Sequence, residues 1–174
     1  MFKFCVDYYF HYICGMKKLI LIISCLFLVL FTIPSCLINY KILSVINQEK
    51  IYGKPTQDLK PILSEVLSST KSDLSFKLKS KTNLVFKTKV GNCVGYAKYY
   101  NRLLSERLKK NNIGNITISH ARAKVLFIGQ NIHFSKSPSL KDHDISIVKN
   151  ITTGDVYYID PSLSEVFGSI IVKQ

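Results

Sequence analysis

Three residues of this chain have the types and surroundings that nucleophilic chemistry needs: Cys93, His143 and Asp160. Cys93 stands in KVGNCVGYAKYYNRLL, residues 89–104, where an extended segment gives way to a helical pattern. Gly91 and Gly95 flank it. A buried structural thiol has no need of glycine on either side. A nucleophile facing a cleft gains from both, because they leave room for a substrate carbonyl, and the helix N-terminus favours thiolate over thiol. Asn92 joins Gly91 and Gly95 as a residue expected to shape that cleft. The backbone N–H of Cys93 is a candidate oxyanion donor, since first-turn amides have no partner inside their own helix.

The other two residues lie on what read as adjacent strands. HDISIVKN (143–150) and DVYYID (155–160) alternate with period two and are joined by ITTG. A tight turn there predicts that His143 faces Asp160, Ile145 faces Tyr158 and Ile147 faces Val156, with all six side chains on one face. Directly opposed Cβ atoms are about 5 Å apart, within reach of an imidazole N–H donating to a carboxylate. A slip of one residue breaks this pairing. Nucleophile, base and orienting carboxylate together make the general triad. His120, on the strand after the helix, and His133, in QNIHFSKSPSL, are rival bases. Asp142, Asp144 and Asp155 are rival carboxylates, but only Asp160 is preceded by an apolar strand and followed by proline. Alternation turns Asp144 to the face opposite His143.

These side chains need a frame. The spacing of Leu59, Ile62, Leu63, Val66 and Leu67 predicts a helix, capped by Thr56 or Asp58, with Pro61 in its first turn and SSTKSD at its close. Residues 74–89 are irregular. From Cys93 to Lys110, Ala97, Tyr100, Leu103, Leu104 and Leu108 line one side of a second helix, ended by Asn111, Asn112 and Gly114. NITISHARAKVLFIG (115–129) reads as a strand with a bulge, because its apolar positions change parity between Ile118 and Val125. Helices first and a β-meander after them indicate an α+β fold with an antiparallel sheet packed on helices.

The order GNCVGYAKYYNRLL, a glycine-punctuated strand, HDISIV and GDVYYIDPS resembles the transglutaminase-like superfamily over roughly residues 85–165. The resemblance implies a papain-like, transglutaminase-core fold. It implies Cys93 as nucleophile, His143 as general base and Asp160 as orienter. Family members usually carry aromatics, often tryptophan, just after the histidine and before the aspartate. Here Asp144 and Ile145 follow His143, Tyr157 and Tyr158 precede Asp160, and the chain has no tryptophan.

The N-terminal part is of another kind. LILIISCLFLVLFTI (19–33) is uncharged, the uncharged run continues to Tyr40, and Lys17 and Lys18 precede it. Residues 1–40 read as a signal peptide or membrane anchor, residues 41–54 as a helical or extended linker and residues 55–174 as the transglutaminase-like domain. Lysines on the N-terminal side predict the domain outside the cytoplasm, in a periplasm or at a cell surface if the source is bacterial. Met16 is an alternative start, and Cys36 in IPSC an alternative lipoprotein cysteine. Cys5, Cys14, Cys25 and Cys36 precede the domain, so Cys93 is its single cysteine and has no internal disulfide partner.

A formal net charge of +13, spread as lysine over the whole chain, reads as a solvated surface with attraction to anionic membranes or cell walls. Specific nucleic-acid binding needs clustered charge interleaved with aromatics or arginines, and is not expected. No close ligand pair of the CxxC or HxxxH kind accompanies Cys93, so no metal is expected, and no cofactor either. Asn115 and Asn150 begin glycosylation sequons by pattern. The sequence thus implies an exported cysteine hydrolase acting on protein or peptide amides. Transglutaminase-type cross-linking and an inactive interaction module of the same fold stand as alternatives.

Overall fold

The computed structural model describes residues 38–81, 84–131 and 142–174. Two helices carry the core. Helix α1, Lys60–Asp73, has Pro61 in its first turn, and Asp58 Oδ1 accepts a hydrogen bond from the Lys60 N–H at 3.0 Å. Its buried stripe is Leu63, Val66, Leu67 and Thr70. Helix α3, Cys93–Lys110, buries Ala97, Tyr100, Leu104 and Leu108, the expected side, and Tyr96 and Tyr99 besides. A short helix α2, Val85–Thr88, lies between them. Each fully buried leucine in these stripes contributes roughly 2 kcal/mol of apolar burial.

The sheet takes its strands from both ends of the described chain. Strands β1 (Ile38–Ile51), β4 (Ile116–Phe127), β6 (His143–Asn150), β7 (Val156–Ile159) and β8 (Ile171–Lys173) run antiparallel in that spatial order. Strand β5 (Gln130–Asn131) pairs with the end of β4. Strands β2 (Ser75–Phe76) and β3 (Val90–Gly91) form a separate parallel pair, and helix α4, Ser164–Phe167, precedes β8. The fold is α+β. Helices α1 and α3 cover one face of the sheet over Ile116, Ile118, Val148, Tyr157 and Ile159. A second apolar cluster lies on the other face, with Ile38, Tyr40, Ala121, Ala123, Val125 and Ile145.

Three expectations are corrected by this arrangement. The expected linker 41–54 is for the most part strand: β1 pairs along its length with β4, and Ile38 to Tyr40, assigned to the anchor, are its first residues. Among the described residues no helix is long and apolar enough to cross a membrane. The rest of the expected anchor, with Cys36 and both candidate start residues, lies outside them. The bulge expected in β4 is absent there, since β4 pairs with β6 without a break from Ile116↔Asn150 to Ala123↔His143. The change of parity in β4 has another cause. This strand is buried on both faces, so Ile116 and Ile118 serve the helices while Ala121, Ala123 and Val125 serve the far side. The irregularities fall in β1, between Ile42 and Ser44 and between Val45 and Asn47.

The third correction is the register of the β6–β7 hairpin. Its partners are Ser146↔Ile159, Ile147↔Tyr158, Val148↔Tyr157 and Lys149↔Val156, two residues away from the expected ladder. ITTG forms the whole loop rather than closing inside itself. Asn150 Oδ1 accepts from the Thr152 and Thr153 N–H groups, Gly154 N–H donates to Asn150 O, and Gly154 takes φ +80°. Because the difference is two residues, every side chain keeps its expected face.

Candidate active site

Cys93 is the first residue of α3 and is partly exposed. Asn92 caps the helix with its own side chain, Oδ1 accepting from the Gly95 N–H at 3.1 Å. That commits the Asn92 side-chain carbonyl oxygen to holding the helix start. Gly91 and Gly95 stand in tight packing. A Cβ on Gly91 would stand 3.1 Å from Val85 Cγ2 and 3.2 Å from the Tyr96 ring, and one on Gly95 would stand 3.3 Å from Val85 Cγ2. The two glycines let α2 lie against the head of α3.

His143 begins β6 and is buried, and its Nε2–H donates to the Asp160 carboxylate at 2.9 Å. The two are diagonal neighbours across the hairpin rather than directly opposed, which is why the contact survives the register difference. Asp160 is fully buried and richly supplied with donors. Tyr40 O–H donates to Oδ2 at 3.1 Å, and Oδ1 accepts from Ser162 O–H at 3.2 Å and from the Leu163 N–H at 2.9 Å. Burial and the Asp160 charge push the Tyr40 phenol far above its ordinary range, so it remains a donor.

The Cys93 sulfur interacts with the His143 ring and favours its charged form. Burial works against a charged ring. The Asp160 carboxylate and its hydrogen bond outweigh it, the Cys93 sulfur adds to them, and His143 is pushed up to about 10. The ring is therefore an imidazolium at neutral pH, with Nε2 on the carboxylate. The sulfur, the imidazole and the carboxylate named from the sequence come together in one chain of contacts, from a partly exposed thiol to a fully buried acid.

Two residues named above only as rivals of the triad also belong to the surroundings of the sulfur. Asp144 does project from β6 on the side opposite His143, toward the helices, yet its Oδ2 lies 3.9 Å from Cys93 Sγ. The sulfur therefore meets side chains from both faces at the start of β6. Asp144 Oδ1 in turn accepts from His120 Nε2 at 2.8 Å. His120, a rival base by sequence, is the partner of this second carboxylate. Only strand order reveals that link, because β4 and β6 are neighbours, with His120 opposite Ser146 and Arg122 opposite Asp144. Of the remaining candidates, His133 lies outside the described residues, and Asp155 pairs with Lys173 at 2.9 Å on the surface. Asn150 is buried, with its side chain donating to Thr56 O and accepting from the hairpin loop. Among the described residues no group of three or more histidine, cysteine or acidic side chains is placed to hold a metal ion.

No known family model, curated protein or solved structure matches this chain.

Proposed function

We propose that this protein is an exported, membrane- or lipid-anchored thiol acyl-transfer enzyme of the transglutaminase-like, papain-like kind, cleaving peptide or side-chain amides. One observation carries the reading. A partly exposed cysteine at the head of an 18-residue helix interacts with a buried histidine, and that histidine is held at 2.9 Å by a buried aspartate. A free thiol in an oxidising compartment is a liability without such a use.

In this mechanism the Cys93 thiolate, paired with the His143 imidazolium, attacks the amide carbonyl carbon. A C–S bond forms, and the carbonyl oxygen takes the displaced electron pair. The Cys93 N–H, free of the helix ladder, is placed to receive that oxyanion. His143 then gives its proton to the departing nitrogen as the C–N bond breaks, leaving a thioester. Water, giving its proton to His143, attacks the thioester, and cleavage of the C–S bond restores the thiolate. An amine in place of water gives cross-linking instead. Asp160 keeps the ring oriented throughout and stabilises its charge.

The test is the rate of Cys93 alkylation by iodoacetamide against pH. Fast alkylation below neutral pH, lost in His143→Ala, is the expected result. A thiol titrating near the ordinary value of about 8.5 and indifferent to His143→Ala leaves the inactive interaction module. The Asp144 carboxylate beside the sulfur favours that second reading.

A further inference from the structure

We propose that His120 and Asp144 are positioning residues for Cys93: a second histidine–carboxylate pair that holds the thiol from the helix side of the sheet and opposes its ionisation. This goes beyond the triad of the proposed mechanism, which uses neither residue, and it rests on that mechanism only in taking Cys93 as the reactive group.

A carboxylate this deeply buried is costly unless its oxygens are engaged. Asp144 is 8 % exposed in its side chain, and the two contacts recorded for its oxygens go to His120 Nε2 at 2.8 Å and Cys93 Sγ at 3.9 Å. Since a carboxylate only accepts, His120 Nε2–H donates to Oδ1, and Cys93 Sγ can donate to Oδ2 only while it keeps its proton. His120 is 1 % exposed, and its Nδ1 has no hydrogen-bond partner among the described residues. His120 lines a cavity of about 470 Å³ between α3 and strands β1 and β4, in company with Asn47, Asn101 and Arg102. A volume of that size admits water and hence protons. The pair thus spans from a polar cavity to the sulfur.

The charges around the pair leave this contest local. Arg102 is paired with Glu106 and Lys109 with Glu49. Lys98 lines the same cavity, Arg122 stands across the ladder from Asp144, and His143 lies beyond the sulfur. His143 favours the thiolate. A carboxylate 3.9 Å away disfavours it, and a proton on His120 relieves that opposition. The thiol is held between two histidine–carboxylate pairs of opposite effect.

The experiment measures the pH midpoint of iodoacetamide alkylation on the full chain, with thermal melts run in parallel. Asp144→Asn keeps the shape and removes the charge, so its midpoint is expected to fall by about one pH unit. His120→Ala is expected to raise the midpoint by about half a unit, and His120→Gln, which restores an N–H donor, to bring it back. A midpoint unchanged or raised in Asp144→Asn overturns the proposal, as does a drop in melting temperature with no movement of the midpoint. If Asp144→Asn does not fold, the Ala and Gln pair at His120 decides: equal midpoints in both overturn it. Failure of the enzymatic reading looks different, because His143→Ala then leaves alkylation untouched while the Asp144→Asn shift stands.

Discussion

Asp160 shows how much one carboxylate can organise. It accepts from an imidazole, a phenol, a serine hydroxyl and a backbone N–H, donors drawn from three separate stretches of the chain. The charge on His143 depends on it. In Asp160→Asn the buried ring loses the attraction that lifts it and keeps the desolvation that lowers it. The His143 midpoint is therefore expected to drop well below about 10, as read by NMR titration of the ring. Tyr40→Phe removes one donor of four and is expected to cost about 1 kcal/mol in a urea melt while leaving Cys93 reactive. The sequence made Cys93, His143 and Asp160 legible because each sits at an element boundary with its own local signature. Tyr40, His120 and Asp144 carried no such signature. Tyr40 lies at the end of an apolar run that reads as an anchor, and the other two meet only because β4 and β6 are neighbours.

At the scale of elements, what could be read from the sequence divides by the range of the interaction. Helices α1 and α3 follow from local spacing, and their buried stripes fall where the apolar positions put them. The register of the hairpin depends on how Asn150 gathers the loop N–H groups, and a period of two cannot express that. Two residues removed from ITTG keep His143 and Asp160 on one face; one residue removed separates them, and rapid alkylation at Cys93 is expected to survive only the first change. The β1–β4 pairing could not be read locally either, since it joins residues far apart in the chain. The chain that leaves β1 and the chain that leaves α3 touch at backbone level, with Lys54 N–H donating to Asn112 O and Gly114 N–H to Lys54 O, both at 2.8 Å. A Cβ at Gly114 would collide with the backbone nitrogen of Gly53. Gly114→Ala therefore has to part these segments, and a loss on the order of 3 kcal/mol is expected by urea denaturation.

For the molecule as a whole, the lifted His143 makes stability depend on pH. Its folded value, about 10, exceeds the unfolded value of about 6.5. The contribution is therefore fully present below about pH 6.5 and is lost as pH rises through about 10. A fall on the order of a few kcal/mol in unfolding free energy across that window is expected for the native chain, and a flat profile for His143→Gln. The net charge of +13 keeps copies apart at neutral pH and weakens as lysines titrate, so the same alkaline window also removes repulsion between molecules. That matters for one strand. Among the described residues β1 forms an outer edge of the sheet, it is 14 residues long, and Leu43, Val45 and Ile46 lie exposed along it. Leu43 and Ile46 are the residues its two irregularities leave without partners on β4. An edge so interrupted offers an incoming chain no continuous row of donors and acceptors. Deleting both residues would straighten it into an uninterrupted template, and fibre growth in alkaline solution is the outcome that thioflavin fluorescence would then record.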